Sequence, residues 1–213
     1  MRLAVFGATG GTGRQLVEQA LAQGHEVAAG VRDPARLPVE HSRLRVVQAD
    51  VFDPSSLKPA LEGTDAVLSA LGPHPRADDL TVCSRGVRSI LKAMQAAGVR
   101  RIVAVSGSPV PKRDPGDGAL QRVLLRPLLH RMFGRLYADL ALMEAQLRES
   151  TTEWTVFRPP LLTNGPRSGR YRTTLGRNAS GGFGRVSRAD LADAMLRCLE
   201  DAATVRTSVG IVG

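Results

Sequence analysis

The chain has 213 residues, with 29 lysines and arginines against 20 acidic side chains and a formal net charge of +9. That length predicts one domain with a substantial core, and no apolar run reaches the roughly 18 residues of a membrane span. Positive charge favours anionic ligands, but the basic residues form no run, aromatic-interleaved stretch or helix-turn-helix pattern, so nucleic acid is not an expected partner.

Residues 2–6 are a short apolar run that predicts a strand. It opens at residue 2, so no removed leader is expected. The run leads into Gly7-Ala8-Thr9-Gly10-Gly11-Thr12-Gly13. Leu16, Val17, Ala20 and Leu21 then recur at three- and four-residue spacing, which predicts a helix with one buried face. Gly24 is placed to end it, and residues 25–31 read as a second strand. A helix N-terminus offers unpaired N–H groups and the positive end of a dipole. Glycines let the backbone turn tightly and approach a pyrophosphate. Gly7, Gly10 and Gly13 stand three apart, unlike the generic G-x-G-x-x-G, but the strand–loop–helix–strand context is that of a dinucleotide-binding half. At the end of the second strand, Arg32 suits a 2′-phosphate. Asp33 follows and is the alternative partner of an unphosphorylated ribose. NADP is therefore preferred and NAD remains open.

A polar, proline-marked connection follows, and residues 44–49 alternate like a third strand. In a doubly wound sheet the C-terminal strand ends face the ligand. Asp50 is thus placed either to accept from an adenine amino group or to cap a turn, with Val51 packing on the ring. Residues 53–57 start a helix. Residues 65–72 form a nearly continuous apolar run, as in a buried parallel strand, and Gly72-Pro73 would let backbone approach a ribose. A helix is expected over 80–97, ended by Gly98. A fifth strand, 102–105, runs into Ser106-Gly107-Ser108. The cysteines, Cys83 and Cys198, lack metal-ligand spacing and read as reduced, buried thiols of a cytoplasmic protein, with no metal expected.

Residues 109–118 read as a polar loop. In 119–150, Leu124, Leu125, Leu128, Leu129, Met132, Phe133 and Leu136 interleave with arginines, and Pro127 is expected to break or kink the stretch. Two helices are expected, one before about Phe133 and one through Arg148. They form either a lid or dimer face, or an amphipathic layer on the sheet. A sixth strand, 154–158, ends at Pro159-Pro160. Residues 161–183 read as a long loop on the ligand side, with Arg167, Arg170 and Arg172 placed to meet an anionic acceptor. Ser187-Arg188-Ala189-Asp190 is a capping-box variant that launches a helix, and 207–212 make a last strand. The fold class is α/β, with a doubly wound, mainly parallel sheet and helices on both faces.

Four pieces carry a family resemblance over nearly the whole length: Phe6 to Gly13, Val31-Arg32-Asp33, Asp50-Val51, and Arg158-Pro159-Pro160 with Gly165 to Tyr171. With Arg185 to Leu191, they make the chain resemble an atypical short-chain dehydrogenase/reductase of the NAD(P)H-binding type. It is similar to the biliverdin reductase B / flavin reductase group and its bacterial relatives. The resemblance implies a single Rossmann-like domain over 1–213, with substrate-side segments 109–135 and 161–184, and bound NADP. It implies that Gly7, Thr9, Gly10, Gly11, Thr12 and Gly13 hold the pyrophosphate and Arg32 the 2′-phosphate. Asp50 and Val51 would then hold the adenine and Leu71-Gly72 the ribose, with Ser106 and Pro159-Pro160 bordering the nicotinamide.

Departures narrow the chemistry. Classical members use Tyr-x-x-x-Lys, where lysine lowers the tyrosine pKa for proton donation; here Tyr137 is followed four residues on by Ala141. Where the biliverdin/flavin reductase group has a serine after strand five and a histidine after the Pro-Pro pair, this chain has Gly107 and Leu161. The expectation is an NADPH-dependent reductase passing hydride to a small conjugated acceptor such as a flavin or quinone, without classical ketone reduction. Ser106 or Ser108 would orient the carboxamide or substrate, and Tyr137 would donate a proton or pack. The alternative is a non-catalytic NADP-binding redox sensor. Either would work as a monomer or homodimer.

Overall fold

Short apolar runs alternating with amphipathic helices build a parallel sheet covered on both faces. The computed structural model describes residues 1–73, 80–111, 126–179 and 184–213. In chain order the elements are β1 (Arg2–Phe6), α1 (Gly11–Ala22), β2 (Glu26–Val31), β3 (Leu44–Gln48), α2 (Lys58–Leu61), β4 (Ala66–Ser69), α3 (Val82–Ala97) and β5 (Arg101–Val105). They continue with α4 (Arg126–Glu149), β6 (Glu153–Arg158), β7 (Leu161–Thr163), β8 (Arg172–Leu175), β9 (Arg185–Ser187), α5 (Arg188–Arg197) and β10 (Thr207–Val212). Among the described residues the main sheet runs β3-β2-β1-β4-β5-β6-β10-β8. Its neighbours are parallel except β8, which lies antiparallel to β10 with Leu175 opposite Val209. This is a Rossmann-like doubly wound sheet. The strand order reverses between β1 and β4, and a crevice opens there at the carboxyl ends of the strands.

Alternation along β1 divides the core. Leu3 and Val5 pack with Leu16, Val17, Leu191 and Met195 under α1 and α5. Ala4 and Phe6 pack with Val87, Ile90, Met94, Met143 and Leu147 under α3 and α4. Successive side chains on a strand point to opposite faces, so one strand feeds both layers. Full burial of each large apolar side chain contributes about 1.5–3 kcal/mol.

Helix starts follow the expected chemistry. The Ser187 hydroxyl accepts from the Asp190 N–H at 2.9 Å and caps α5. Asp53 caps the 3-10 turn Pro54–Leu57 that leads into α2.

Two expectations are corrected. Residues 161–183 are not a plain loop. β7 pairs with β9, Leu161 opposite Arg185, and β8 joins the sheet edge. These strands are too short for periodicity to register, and their partners lie far along the chain. Pro127 is not where the described part of the 119–150 stretch bends. It lies in the first turn of α4, where a missing N–H is harmless, and the bend comes at Phe133 (φ −123°, ψ 21°). Leu124 and Leu125, with the start of the expected first helix, lie outside the described residues.

Candidate functional site

The loop between β1 and α1 is fixed by close packing. Gly7 has φ +79°, and a Cβ on it would stand 2.5 Å from the Ala70 carbonyl oxygen. A Cβ on Gly13 would stand 2.0 Å from the Gly7 carbonyl oxygen and 2.8 Å from Ala8 Cα. Both contacts are with backbone, so nothing yields easily. Gly13→Ala is therefore expected to destabilise the protein by about 1–3 kcal/mol; an unchanged urea midpoint would contradict this packing. Gly10 N–H donates to the Gly7 carbonyl at 3.0 Å, and α1 begins at Gly11 with no side-chain cap. The first-turn N–H groups of Gly11, Thr12 and Gly13 have no intrahelical acceptor.

Beside this loop lies a cavity of about 460 Å³ between the ends of β1, β2, β3 and β4. Of the residues expected to hold a dinucleotide, Gly7, Thr9, Gly10, Arg32, Val51, Leu71 and Gly72 line it. Gly11, Thr12 and Gly13 stand behind it in the first turn of α1.

At the end of β2 the two candidate side chains separate. Asp33 turns away, accepting from the Ala35 N–H at 3.1 Å to cap the turn Pro34–Arg36. That turn brings Arg36 to the cavity beside Arg32. Sequence reasoning missed Arg36, although Asp33-Pro34 is a readable turn start. At the end of β3, the Asp50 carboxylate accepts from the Phe52 N–H at 2.9 Å, so the turn-capping alternative is realised. Phe52, also missed, lines the cavity, and the Arg85 guanidinium stands 4.2 Å from its ring centroid, a cation–π contact.

The expected catalytic groups sit beyond the next strands. Ser106 is buried, and its hydroxyl donates to Glu144 Oε1 at 2.8 Å. Glu144 also pairs with Arg158 at the end of β6 and with Arg148 one turn on in α4. Ser108 N–H donates to the Pro159 carbonyl at 2.9 Å, which ties the loops after β5 and β6 together. The Ser108 carbonyl accepts from Asn178 Nδ2 at 2.9 Å. Tyr137 is half-buried on α4, and burial pushes its hydroxyl above the ordinary value. Its ring meets His130 at 5.1 Å and Phe133 at 6.3 Å between centroids, and a His130 ring nitrogen is 2.9 Å from the Pro109 carbonyl. None of Ser106, Ser108, Tyr137, Pro159 and Pro160 lines the cavity beside the glycine loop.

The arginine-rich segment after β7 is corrected in one respect. Arg167 pairs with buried Asp193 of α5 at 2.7 Å. It lies beside Met1 and His25, at the end of the sheet opposite the cavity, and so is not placed to meet an acceptor. Tyr171 donates to Asp193 at 2.7 Å. Asp190 accepts from the Ser168 and Gly169 N–H groups and from the Ser168 hydroxyl. Burial pushes the Asp190 carboxyl up, but those hydrogen bonds outweigh it and hold it below the ordinary value. Residues 167–171 are thereby fastened onto α5.

A sequence profile described as NAD(P)H-binding matches residues 7–202. The chain belongs to this family. An uncharacterised chloroplastic protein of Arabidopsis thaliana is 33% identical over 175 residues, covering 78% of this chain and 60% of its own. The photosystem II assembly factor Ycf39 of Synechocystis is 36% identical over 110 residues, 50% of this chain and 33% of that protein. The chain thus spans 60% of the first relative's length and 33% of the second's. A Streptococcus pneumoniae structure, provisionally described as an NADH-flavin reductase, superposes with a TM-score of 0.80 at 26% identity. The match covers 100% of this chain and 99% of that one. Among the described residues no helix is long and apolar enough to cross a membrane.

The residues present fit the family's cofactor. At Gly10 an added Cβ would meet only the Gly7 carbonyl, at 3.3 Å, so the loop is open where a phosphate would approach. Arg32 and Arg36 supply positive charge at the far rim, with apolar Val51, Phe52 and Leu71 between for a flat ring.

Proposed function

We propose that the protein is an NADPH-dependent oxidoreductase that reduces a small conjugated acceptor such as a flavin or quinone. The observation that carries the NADPH preference is the rim after β2. Two arginines line the cavity there, while the adjacent carboxylate, Asp33, is spent on a turn. A ribose 2′-hydroxyl needs an acceptor at that place, whereas a 2′-phosphate needs cations.

The cofactor supplies the hydride, and the protein supplies orientation. Gly7 to Gly13 would hold the pyrophosphate, Arg32 and Arg36 the 2′-phosphate, and Val51, Phe52, Leu71 and Gly72 the adenosine. On the other side, Ser108, Pro159 and Pro160 would border the nicotinamide. The acceptor would lie toward α4, where Tyr137 offers a neutral hydroxyl. With Ser106 donating to Glu144 and Ala141 in place of the classical lysine, proton delivery to the reduced acceptor falls to solvent, which suits flavins and quinones better than ketones. The chain would act as a monomer or homodimer in an aqueous compartment.

One observation favours a second reading, a non-catalytic NADP-dependent sensor. The Ser106 hydroxyl is committed to Glu144 rather than free for a substrate. The two readings separate in one experiment: fluorescence titration with NADPH and NADH, followed by NADPH oxidation with a panel of flavins and quinones. Tight NADPH binding with turnover supports the reductase. Tight binding with oxidation at background throughout, and a cofactor-dependent change in association state, supports the sensor.

A further inference from the structure

Arg188 opens α5, and its side chain lies across the first residue of α1. A Cβ on Gly11 would stand 2.6 Å from Arg188 Cδ and 3.0 Å from its Nε. The loop's other glycines are crowded by backbone; Gly11 is crowded by a side chain. Glycine at this position makes room for the arginine. Nη1 donates to Asn164 Oδ1 at 2.7 Å and reaches the Leu162 carbonyl at 3.5 Å. The guanidinium is thus moored between the glycine loop and the strand that follows Pro159-Pro160.

A cation held there is poorly placed on its own. It stands at the positive end of the α1 dipole, whose first turn has no side-chain cap. Its own backbone belongs to the first turn of α5, a second positive end. Among the described residues no carboxylate pairs with it. A net charge of +9 adds to the repulsion. An anion seated against the loop would offset these terms by attracting both the guanidinium and the helix ends.

We propose that Arg188 is a phosphate ligand of the bound dinucleotide, taking the pyrophosphate group on its nicotinamide side. This rests on the cofactor reading above. Asn164 holds Nη1, and among the described residues Nε and Nη2 donate to no acceptor, so they remain available to a phosphate. The mooring also couples phosphate binding to β7. A dinucleotide seated on the loop would therefore draw the residues after Pro159-Pro160 toward the nicotinamide.

The test compares NADPH with adenosine 2′-monophosphate, which keeps the 2′-phosphate and adenine but has no pyrophosphate. Arg188→Met is expected to weaken NADPH about tenfold and to leave adenosine 2′-monophosphate unchanged. NADPH affinity within twofold of wild type would overturn the proposal, as would an equal loss for both ligands. If the wild type binds neither ligand, the cofactor reading itself fails, and that result is distinct from an unaffected variant. Should Arg188→Met not fold, Arg188→Lys decides. It keeps the charge but loses the planar fork, and is expected to weaken NADPH severalfold with adenosine 2′-monophosphate unaffected. Equal NADPH affinity in that variant overturns the proposal.

Discussion

Glu144→Ala is expected to destabilise the protein by about 3–5 kcal/mol, the range for breaking one side of a buried ion pair. Glu144 is 1% exposed and Arg158 is 7% exposed. Glu144 accepts from Arg158 Nε at 3.0 Å, from Arg158 Nη2, from Ser106 and from Arg148. Alanine removes the carboxylate but leaves the Arg158 charge in place, away from water. The exposed pair Arg100–Glu153 gives the contrast. Its side chains are 74% and 38% exposed, so Glu153→Ala is expected to change stability by no more than about 1 kcal/mol. Urea denaturation of both variants checks the difference, and similar losses would refute the burial argument. Glu144→Leu combined with Arg158→Leu should recover much of the loss, because both charges of the buried pair are then removed together. The effect reaches the site as well, since Ser106 and Arg158 end the two strands that border the proposed nicotinamide position.

That network shows where sequence reading stops. Glu144 lies in an arginine-interleaved helix, where a charged side chain is ordinarily solvated. Its partners Arg158 and Ser106 are 14 and 38 residues away, and no local pattern links them. Arg101 is a similar case: an arginine is ordinarily exposed, yet this one is 7% exposed. It donates to Thr155, Thr204 and the Cys198 carbonyl, stapling the end of α5 to β6. Where a signal is local, the reading carries through. The apolar runs became β1, β2, β4, β5 and β6, because a buried parallel strand needs a continuous apolar stretch, and the alternating residues 44–49 became the edge strand β3. The glycine loop is legible because steric demand at Gly7 and Gly13 leaves no other residue type comfortable. Arg36 and Phe52 escaped because each reaches the cavity through a turn rather than a periodic element. The pairing of β7 with β9 escaped because register between short, distant strands is a tertiary property.

The charge at the cavity rim carries the other large effect. Replacing Arg32 and Arg36 together by alanine is expected to lower NADPH affinity about 100-fold, while NADH changes less than about threefold. Each arginine, hydrogen-bonded to a doubly charged phosphate, contributes about 1.5–3 kcal/mol, and Arg32 and Arg36 both lie at the low end because both are exposed and screened. Either single variant should therefore lose about tenfold. The two side chains flank one turn, and a third arginine closes the group, with Arg14 Nη2 donating to the Arg36 carbonyl at 3.1 Å. This bond holds the backbone that carries Arg36, so Arg14→Ala is expected to act weakly and through Arg36. Salt gives an independent check: NADPH affinity should fall more steeply with ionic strength than NADH affinity, and the double variant should abolish the difference. If both cofactors lost affinity equally in the double variant, the arginines would be acting on the pyrophosphate or on the turn. The discrimination between NADPH and NADH would then have to come from elsewhere in the cavity, with Phe52 and Arg85 next to be varied.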